Sequence, residues 1–389
     1  MLPQLPFEQP DPLAFPPRLR RLALEGPVHR VRTRVGDGAW LVTGYDEVRA
    51  LLADDRLGRS HPEPARAARA GESVLFGGPQ GDHDTEEADH NRMRSLMRPH
   101  FTPRRMRALA PRVDELTTTL LEDLERRPRP ADLNAALAVP LPILVICELL
   151  GVPYADRDRF RAWTLDAADA TDRSRSERGM AALFSYGLEL VARKRRRPGE
   201  DVLSRLVETP DVGDEEAAMI AMALLFAGHE TTVVRIGLGV LCLLAEPDRY
   251  QALVRDPGRV PAAVEEILRL PGGGSGGIPR YARTDIEIAG VTIRAGDLVM
   301  CDTGAANHDP GAFAEPDRFD PGRTGPSHLG FGHGARYCVG APLARIELGA
   351  VLSQLTSRLP TLRLAAGMDG LRVREQVITG GLRDLPVEW

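Results

Sequence analysis

The sequence predicts a mainly α-helical protein with small peripheral β-sheets and one long helix that crosses the domain. Apolar residues recur at helical spacing through most of the chain, whereas the candidate strands are short and scattered. The longest helical pattern begins near Asp214 and continues to about Ala245, which corresponds to about 48 Å at 1.5 Å per residue. No Ser/Gly/Pro-rich linker divides the chain, so we expect a single domain over residues 1–389.

Local signals place the individual helices and strands. Thr102 is a typical N-cap before Pro103, Gly151 is a typical helix end, and acidic residues beginning at Asp214 favour the first turn of the long helix. The expected helices cover residues 103–124, 143–150, 156–169, 177–195, 201–207, 214–245, 247–255 and 342–359. The expected strands lie at residues 28–33, 39–44, 286–293, 298–302 and 385–389.

The composition excludes several classes of protein. With 43% hydrophobic and 27% charged residues, the chain can bury a large core, which argues against a disordered protein. Acidic residues (55) exceed basic ones (50), so no nucleic-acid partner is expected. Within the most hydrophobic stretch, 217–245, the charge-free start 217–228 falls short of the roughly 18 residues that span a bilayer, and no signal-peptide pattern opens the chain. We therefore expect a soluble, cytoplasmic protein. We also expect it to be a monomer.

Cysteine spacing argues against a metal or disulfide framework. The four cysteines, Cys147, Cys242, Cys301 and Cys338, form no C-x-x-C pair, so a zinc ribbon or a thioredoxin-type redox site is not expected. Cys147 and Cys242 lie in apolar runs typical of buried free thiols. These features are typical of a reduced, intracellular protein.

The segment 331–340 contains the most informative pattern, a glycine-rich loop that leads into a helix. Unpaired N–H groups and the helix dipole favour a thiolate at Cys338, just before the predicted helix. Gly334 and Gly340 permit close approach of a large flat ligand, Phe331 can shield the sulfur, and Arg336 can pair with a carboxylate. The alternative is a free cysteine in a turn. A dinucleotide fingerprint also fits superficially, but no strand precedes it.

Four segments in order resemble one family. Residues 331–340 fit the pattern F-x-x-G-x-R-x-C-x-G, the haem-binding signature of the cytochrome P-450 superfamily of haem-thiolate monooxygenases. Residues 227–232, in the middle of the long helix, resemble the oxygen-activating turn of that family. Residues 266–269 resemble its E-x-x-R helix and 316–319 its meander segment. The whole chain is similar to the soluble bacterial branch, and the resemblance implies the cytochrome P-450 fold.

The resemblance implies haem b (iron protoporphyrin IX) as the cofactor, with Cys338 as the iron ligand. It also implies that Thr231 supports oxygen activation and that Glu230 relays protons from solvent. Further cofactor contacts are implied for His90, Arg94, Ala227, Arg280, His328, Phe331, Arg336 and Gly340. Glu266 and Arg269 are expected to join Arg318 in a buried network that holds the thiolate loop. The predicted turn at Gly228 and Thr231 is expected to widen the long helix locally.

The expected activity is hydroxylation or epoxidation of a small organic substrate in bacterial secondary metabolism. Because the chain has no room for a flavin or nicotinamide domain, electrons are expected from a separate protein, and the resemblance implies a ferredoxin with its reductase. Oxidative C–C or C–N coupling on the same fold is the main alternative. A haem protein without turnover is a weaker one, and a hydrolase using Cys338 lacks a recognisable base. The run 272–277 is expected to form a flexible or close-packed wall near the haem edge.

Overall fold

A computed structural model describes residues 2–270 and 276–389 of the chain. The described α-helices are α1 Pro17–Glu25, α2 Tyr45–Ala53, α3 Glu86–Met97, α4 Pro103–Glu125, α5 Pro140–Leu150, α6 Arg157–Ala167, α7 Arg173–Arg196, α8 Val202–Glu208, α9 Asp214–Leu244, α10 Pro247–Arg255, α11 Val260–Arg269, α12 Thr303–Ala306 and α13 Ala341–Arg358. The described strands are β1 Val28–Arg32, β2 Gly38–Val42, β3 Leu57–Gly58, β4 Ala131–Asp132, β5 Ile278–Ala282, β6 Ile286–Ile288, β7 Val291–Ile293, β8 Leu298–Cys301, β9 Arg363–Leu364 and β10 Pro386–Glu388.

The mainly helical fold predicted from the sequence is confirmed. The long helix α9 ends one residue before the predicted boundary, and α4 begins as predicted, with the Thr102 hydroxyl accepting a hydrogen bond from the Arg105 N–H at 3.4 Å. Gly151 follows α5 in the left-handed conformation, with φ of +66°. Helices α1 and α2 were not predicted. Most of the glycine run 272–277 lies outside the described residues.

The chain divides into two compact units, each assembled from two separate segments. The sheet unit comprises residues up to Asn91 together with Pro261–Cys338, and the helical unit comprises Arg92–Val260 together with Val339–Trp389. A single domain over residues 1–389 stays a prediction.

The sheet unit is built around a five-stranded sheet in the order β1-β2-β8-β5-β3. The parallel pair β2–β8 lies at its centre, and the other neighbours are antiparallel. Successive β8 side chains enter opposite core clusters, with Leu298 and Met300 on one face and Val299 and Cys301 on the other. A strand buried on both faces reads as a continuous apolar run, as the segment Leu298–Cys301 does.

The helical unit packs other helices around α9. Helices α5, α7, α8, α10 and α13 all contact it, and buried residues occur around most of its circumference. An apolar helix of this length also meets the composition criterion for a membrane span. Because 72% of its most apolar window is buried inside the protein, it has the character of a core helix. A three-stranded sheet in the order β4-β10-β9 completes the unit.

Candidate active site

The cysteine loop of the sheet unit folds back on itself before Cys338. The Cys338 N–H donates to the Phe331 carbonyl at 3.0 Å, and the Tyr337 N–H donates to the Gly334 carbonyl at 3.1 Å. Gly334 has φ of +73°, and a Cβ there would lie 2.8 Å from the Ala53 Cα. Because only glycine tolerates both conditions, this position fixes the path of the loop. Cys338 is exposed and lies three residues before α13 begins.

The start of the loop is anchored by Asn307. Its side-chain oxygen accepts the Leu329 N–H at 2.7 Å, and its side-chain nitrogen donates to the Arg269 carbonyl at 3.2 Å. The Arg269 guanidinium in turn donates to the Asn307 carbonyl at 2.9 Å. Asn307 therefore connects the E-x-x-R helix α11 directly to the cysteine loop.

Glu266 and Arg269 form the buried pair predicted from the sequence. The guanidinium donates to both carboxylate oxygens, at 2.7 and 2.9 Å, and the two side chains are 6% and 2% exposed. Burial alone would raise the pKa of Glu266. Hydrogen bonds from Arg269 and from the Asp320 N–H outweigh that effect and hold the pKa below its usual value. The carboxylate therefore stays ionised inside the unit.

The prediction that Arg318 is the third member of this network was wrong. Its guanidinium pairs with Glu315 and is 60% exposed, and only its backbone carbonyl accepts from Arg269. Arg323 takes the predicted place. Its Nε lies 3.3 Å from the Glu266 carboxylate, its side chain is 12% exposed, and its Nη2 donates to the Arg318 carbonyl at 2.9 Å.

Four arginines of the sheet unit interact with the Glu86 carboxylate, two by direct contact and two, Arg59 and Arg280, electrostatically. Arg336 and Arg283 donate to Glu86 at 2.5 and 3.1 Å. Burial, followed by repulsion from Arg280 and Arg336, lowers the pKa of Arg59 to about 10. Burial also lowers the pKa of Arg280 and of Arg336. This excess of buried positive charge favours a bound anion.

In the helical unit, one stripe of α9 is open although most of the helix is buried. Ala227 and Thr231, one turn apart, are exposed, while Glu230 and Thr232 on either side of Thr231 are buried. The Thr231 hydroxyl donates to the Ala227 carbonyl at 2.9 Å. The predicted widening of this turn is absent because the helix is α-helical throughout. A carbonyl oxygen has two lone pairs, so it can accept the hydroxyl without losing the helical bond.

Glu230 is fully buried beside His229 and Arg374. Arg374 Nη2 donates to Glu230 Oε2 at 3.1 Å, and His229 Nε2 lies 3.8 Å from Glu230 Oε1. His229 Nδ1 lies 2.6 Å from the Leu225 carbonyl, which places its proton on that nitrogen. Burial, opposed by Glu230, lowers the pKa of His229, so the imidazole is neutral near pH 7.

The remaining predicted residues are placed as follows. His90 and Arg94 lie one turn apart on α3, both half-buried. Gly340 is the N-cap residue of α13. Both ring nitrogens of His328 have protein partners, because Nδ1 accepts the Gly330 N–H at 3.1 Å and Nε2 lies 3.2 Å from Glu265. A cofactor contact by His328 therefore requires it to exchange one of these partners.

Comparison with known proteins identifies the family. Residues 259–360 match the family model described as Cytochrome P450. The chain is 46% identical to pentalenolactone synthase of Streptomyces exfoliatus over 100% of this chain and 99% of that protein. It belongs to the cytochrome P450 family. Among solved structures, the pimaricin epoxidase PimD superposes with a TM-score of 0.88 at 40% identity, covering 100% and 99% of the two chains. The putative thioether synthase SgvP gives 0.92 at 36% identity, covering 100% of both.

Membership confirms the haem-thiolate monooxygenase activity expected from the sequence. P450 enzymes bind haem b through a cysteine thiolate, act on small molecules and receive electrons from redox partners. The relatives of this P450 serve bacterial antibiotic and secondary-metabolite pathways.

The donor set of this P450 fits haem. Burial raises the pKa of Cys147 and of Cys301 to about 12, so both remain thiols, whereas Cys338 is exposed at the end of its loop. The two propionates of haem would supply the negative charge needed to balance the excess of arginines around Glu86. Sequence reasoning found Arg280 and Arg336 but missed Arg59, Arg283 and Glu86, since no motif marks them.

Proposed function

We propose that this P450 inserts one oxygen atom from O2 into a small organic substrate of bacterial secondary metabolism, by hydroxylation or epoxidation. The main support is Thr231, an exposed residue of α9 that directly follows Glu230, whose carboxylate is buried. A ferredoxin and its reductase supply the electrons, and the enzyme acts as a cytoplasmic monomer. Bound haem supplies the oxidising chemistry, and thiolate ligation favours cleavage of the O–O bond.

The chain's own residues bind the cofactor and supply protons. Cys338 supplies the thiolate from a loop held by Asn307 and Gly334. Arg280 and Arg336, with His90, Arg94 and His328, are assigned to the propionates, and Phe331 and Gly340 lie on the same cysteine loop.

On α9, Thr231 presents its hydroxyl on the open stripe beside Ala227. Its oxygen can accept a proton while its own proton passes on. Glu230, held by Arg374, relays a proton taken up from solvent to replace the one that Thr231 passes on.

Labelled oxygen tests the outcome of the reaction. A substrate is first identified by its shift of the Soret band of the purified holoenzyme, and turnover is then run under ¹⁸O2 with ferredoxin, reductase and NADPH. We expect a product that carries one ¹⁸O atom by mass spectrometry. A product without label would contradict oxygen insertion and favour the alternative, oxidative C–C or C–N coupling. An inactive, merely haem-binding protein would give no product.

Replacing Thr231 with alanine is expected to uncouple electron supply from product. The open stripe of α9 would lose its hydroxyl, while the cysteine loop and the arginines would stay unchanged. Loss of one hydrogen bond worth about 1.4 kcal/mol predicts roughly tenfold less product per NADPH, with hydrogen peroxide formed instead. Haem content and substrate binding should be retained. Thr231→Ser keeps the hydroxyl and should retain most coupling. Unchanged coupling in Thr231→Ala would contradict the assigned proton path.

A further inference from the structure

Two arginines of the helical unit, carried by segments other than α9, act on the His229–Glu230 pair. Arg374 follows α13 in the C-terminal segment, and Arg161 lies on α6. Arg374 contacts Glu230 at 3.1 Å, and both guanidiniums act electrostatically on His229. We call Arg161, His229, Glu230 and Arg374 the arginine cluster.

The segments that carry the two arginines are tied together. Just beyond α6, the Ala170 N–H donates to the Gln376 carbonyl at 2.8 Å, and the Ile378 N–H donates to the Ala168 carbonyl at 3.0 Å. Asp169 and Val377 form a β-bridge between the same segments. The guanidiniums are therefore carried by backbone that is fixed before any ligand binds, which lowers the entropic cost of binding.

Every member of the arginine cluster carries a buried polar atom that lacks a hydrogen-bond partner within the described residues. These atoms are Arg161 Nε, His229 Nε2, Glu230 Oε1 and Arg374 Nε. Two are donors on guanidiniums. The His229 nitrogen cannot donate to Glu230, because its proton is on Nδ1. His229 Nε2 and Glu230 Oε1 are themselves acceptors, so the missing acceptor concerns the two guanidinium nitrogens. An unsatisfied buried donor costs about 1–3 kcal/mol, so Arg161 Nε and Arg374 Nε point to an acceptor that the described residues do not supply.

The charges of the arginine cluster do not balance. The arginine cluster contains two guanidiniums, which stay protonated in proteins, one carboxylate and a neutral imidazole. Arg161 has no hydrogen bond or ion pair to any part of the chain that the structure describes. One positive charge therefore remains uncompensated, which matches a singly charged anion better than a doubly charged phosphate.

We propose that the arginine cluster binds a carboxylate of the substrate, with Arg161 and Arg374 as the donors. This inference rests on the proposed function and names its substrate class: small organic acids that react elsewhere on their skeleton. Guanidinium N–H groups match carboxylate oxygens in geometry and form charge-assisted hydrogen bonds. Glu230 directly precedes Thr231. A substrate carboxylate bound at the arginine cluster would therefore also position the substrate along the open stripe of α9.

Imidazole-anchored probes test this without knowledge of the natural substrate. The probes are ω-(imidazol-1-yl)alkanoic acids of increasing chain length and their methyl esters, whose imidazole ligates haem iron and shifts the Soret band. In the holoenzyme we expect at least one acid to bind roughly tenfold more tightly than its ester, the loss expected for one charge-assisted contact. Arg161→Leu should abolish that preference and leave ester affinity unchanged, while Arg161→Lys should restore part of it.

Arg157→Gln is the matched control, because Arg157 lies on the same helix but is exposed. It should keep the full preference for acids. Equal binding of acids and esters at every chain length, or an undiminished preference in Arg161→Leu, would overturn the proposal. A failure of imidazole itself to shift the Soret band would instead contradict haem binding, and with it the proposed function. The two failures are thus distinguishable.

Discussion

Glu266→Ala is expected to yield folded protein with little bound haem. The substitution leaves the Arg269 guanidinium buried without its carboxylate, and removing one partner of a buried pair costs about 3–5 kcal/mol. The effect is expected to extend to the cysteine loop, because the Arg269 guanidinium donates to the Asn307 carbonyl and the Asn307 side chain accepts the Leu329 N–H. The ratio of haem to protein, measured as the pyridine haemochromogen, should fall severalfold.

Arg318→Ala is the matched control, since its side chain is exposed and lies outside the network. It should retain normal haem content, whereas Arg323→Ala should lose haem, because Arg323 contacts Glu266. Normal haem content in Glu266→Ala would show that the network does not support the loop. Haem loss in Arg318→Ala but not in Arg323→Ala would restore the assignment made from the sequence.

Cys338→Ser is expected to remove the thiolate signature altogether. Serine is a much weaker ligand than a thiolate, and no other cysteine can take its place. Burial keeps Cys147 and Cys301 protonated, with pKa values of about 12, and Cys242 is also buried. The reduced carbon-monoxide complex should lose the red-shifted Soret band typical of thiolate ligation, and monooxygenase turnover should disappear.

Cys147→Ala removes a thiol from α5 and should keep the red-shifted band, at a modest cost in stability from the lost volume. Comparing the two variants separates the ligand from a general effect of cysteine loss. A red-shifted band in Cys338→Ser would assign the iron ligand to another residue.

The structural features that could be predicted from the sequence are those that depend on local periodicity and short motifs. Glu266 and Arg269 are three residues apart on a helix, so their contact follows from helical geometry alone. The boundaries of α9 and the turn before Cys338 likewise depend on short-range signals. Arg318 was chosen wrongly because the segment between α12 and the cysteine loop is irregular. Without a repeating geometry, spacing does not say which arginine points inward.

Contacts between distant segments could not be predicted. Glu86 meets Arg283 across 197 positions, and Arg374 meets Glu230 across 144. Neither arginine belongs to a motif, and each acquires its role only because the fold brings it to a buried carboxylate. The unbalanced charge of Arg161 could not be predicted either, because it depends on which hydrogen-bond acceptors the fold leaves out of its reach.

The pairing of β2 with β8 determines when, during translation, the central sheet can form. Strand β2 ends at Val42 and its central partner β8 begins at Leu298, so most of the polypeptide must emerge before the sheet closes. At typical rates of synthesis this delay is on the order of tens of seconds. During that interval the N-terminal hairpin of β1 and β2 lacks its β8 partner, so the edge of β2 is unpaired. Haem uptake must be later still, because the ligand-bearing loop is translated after β8.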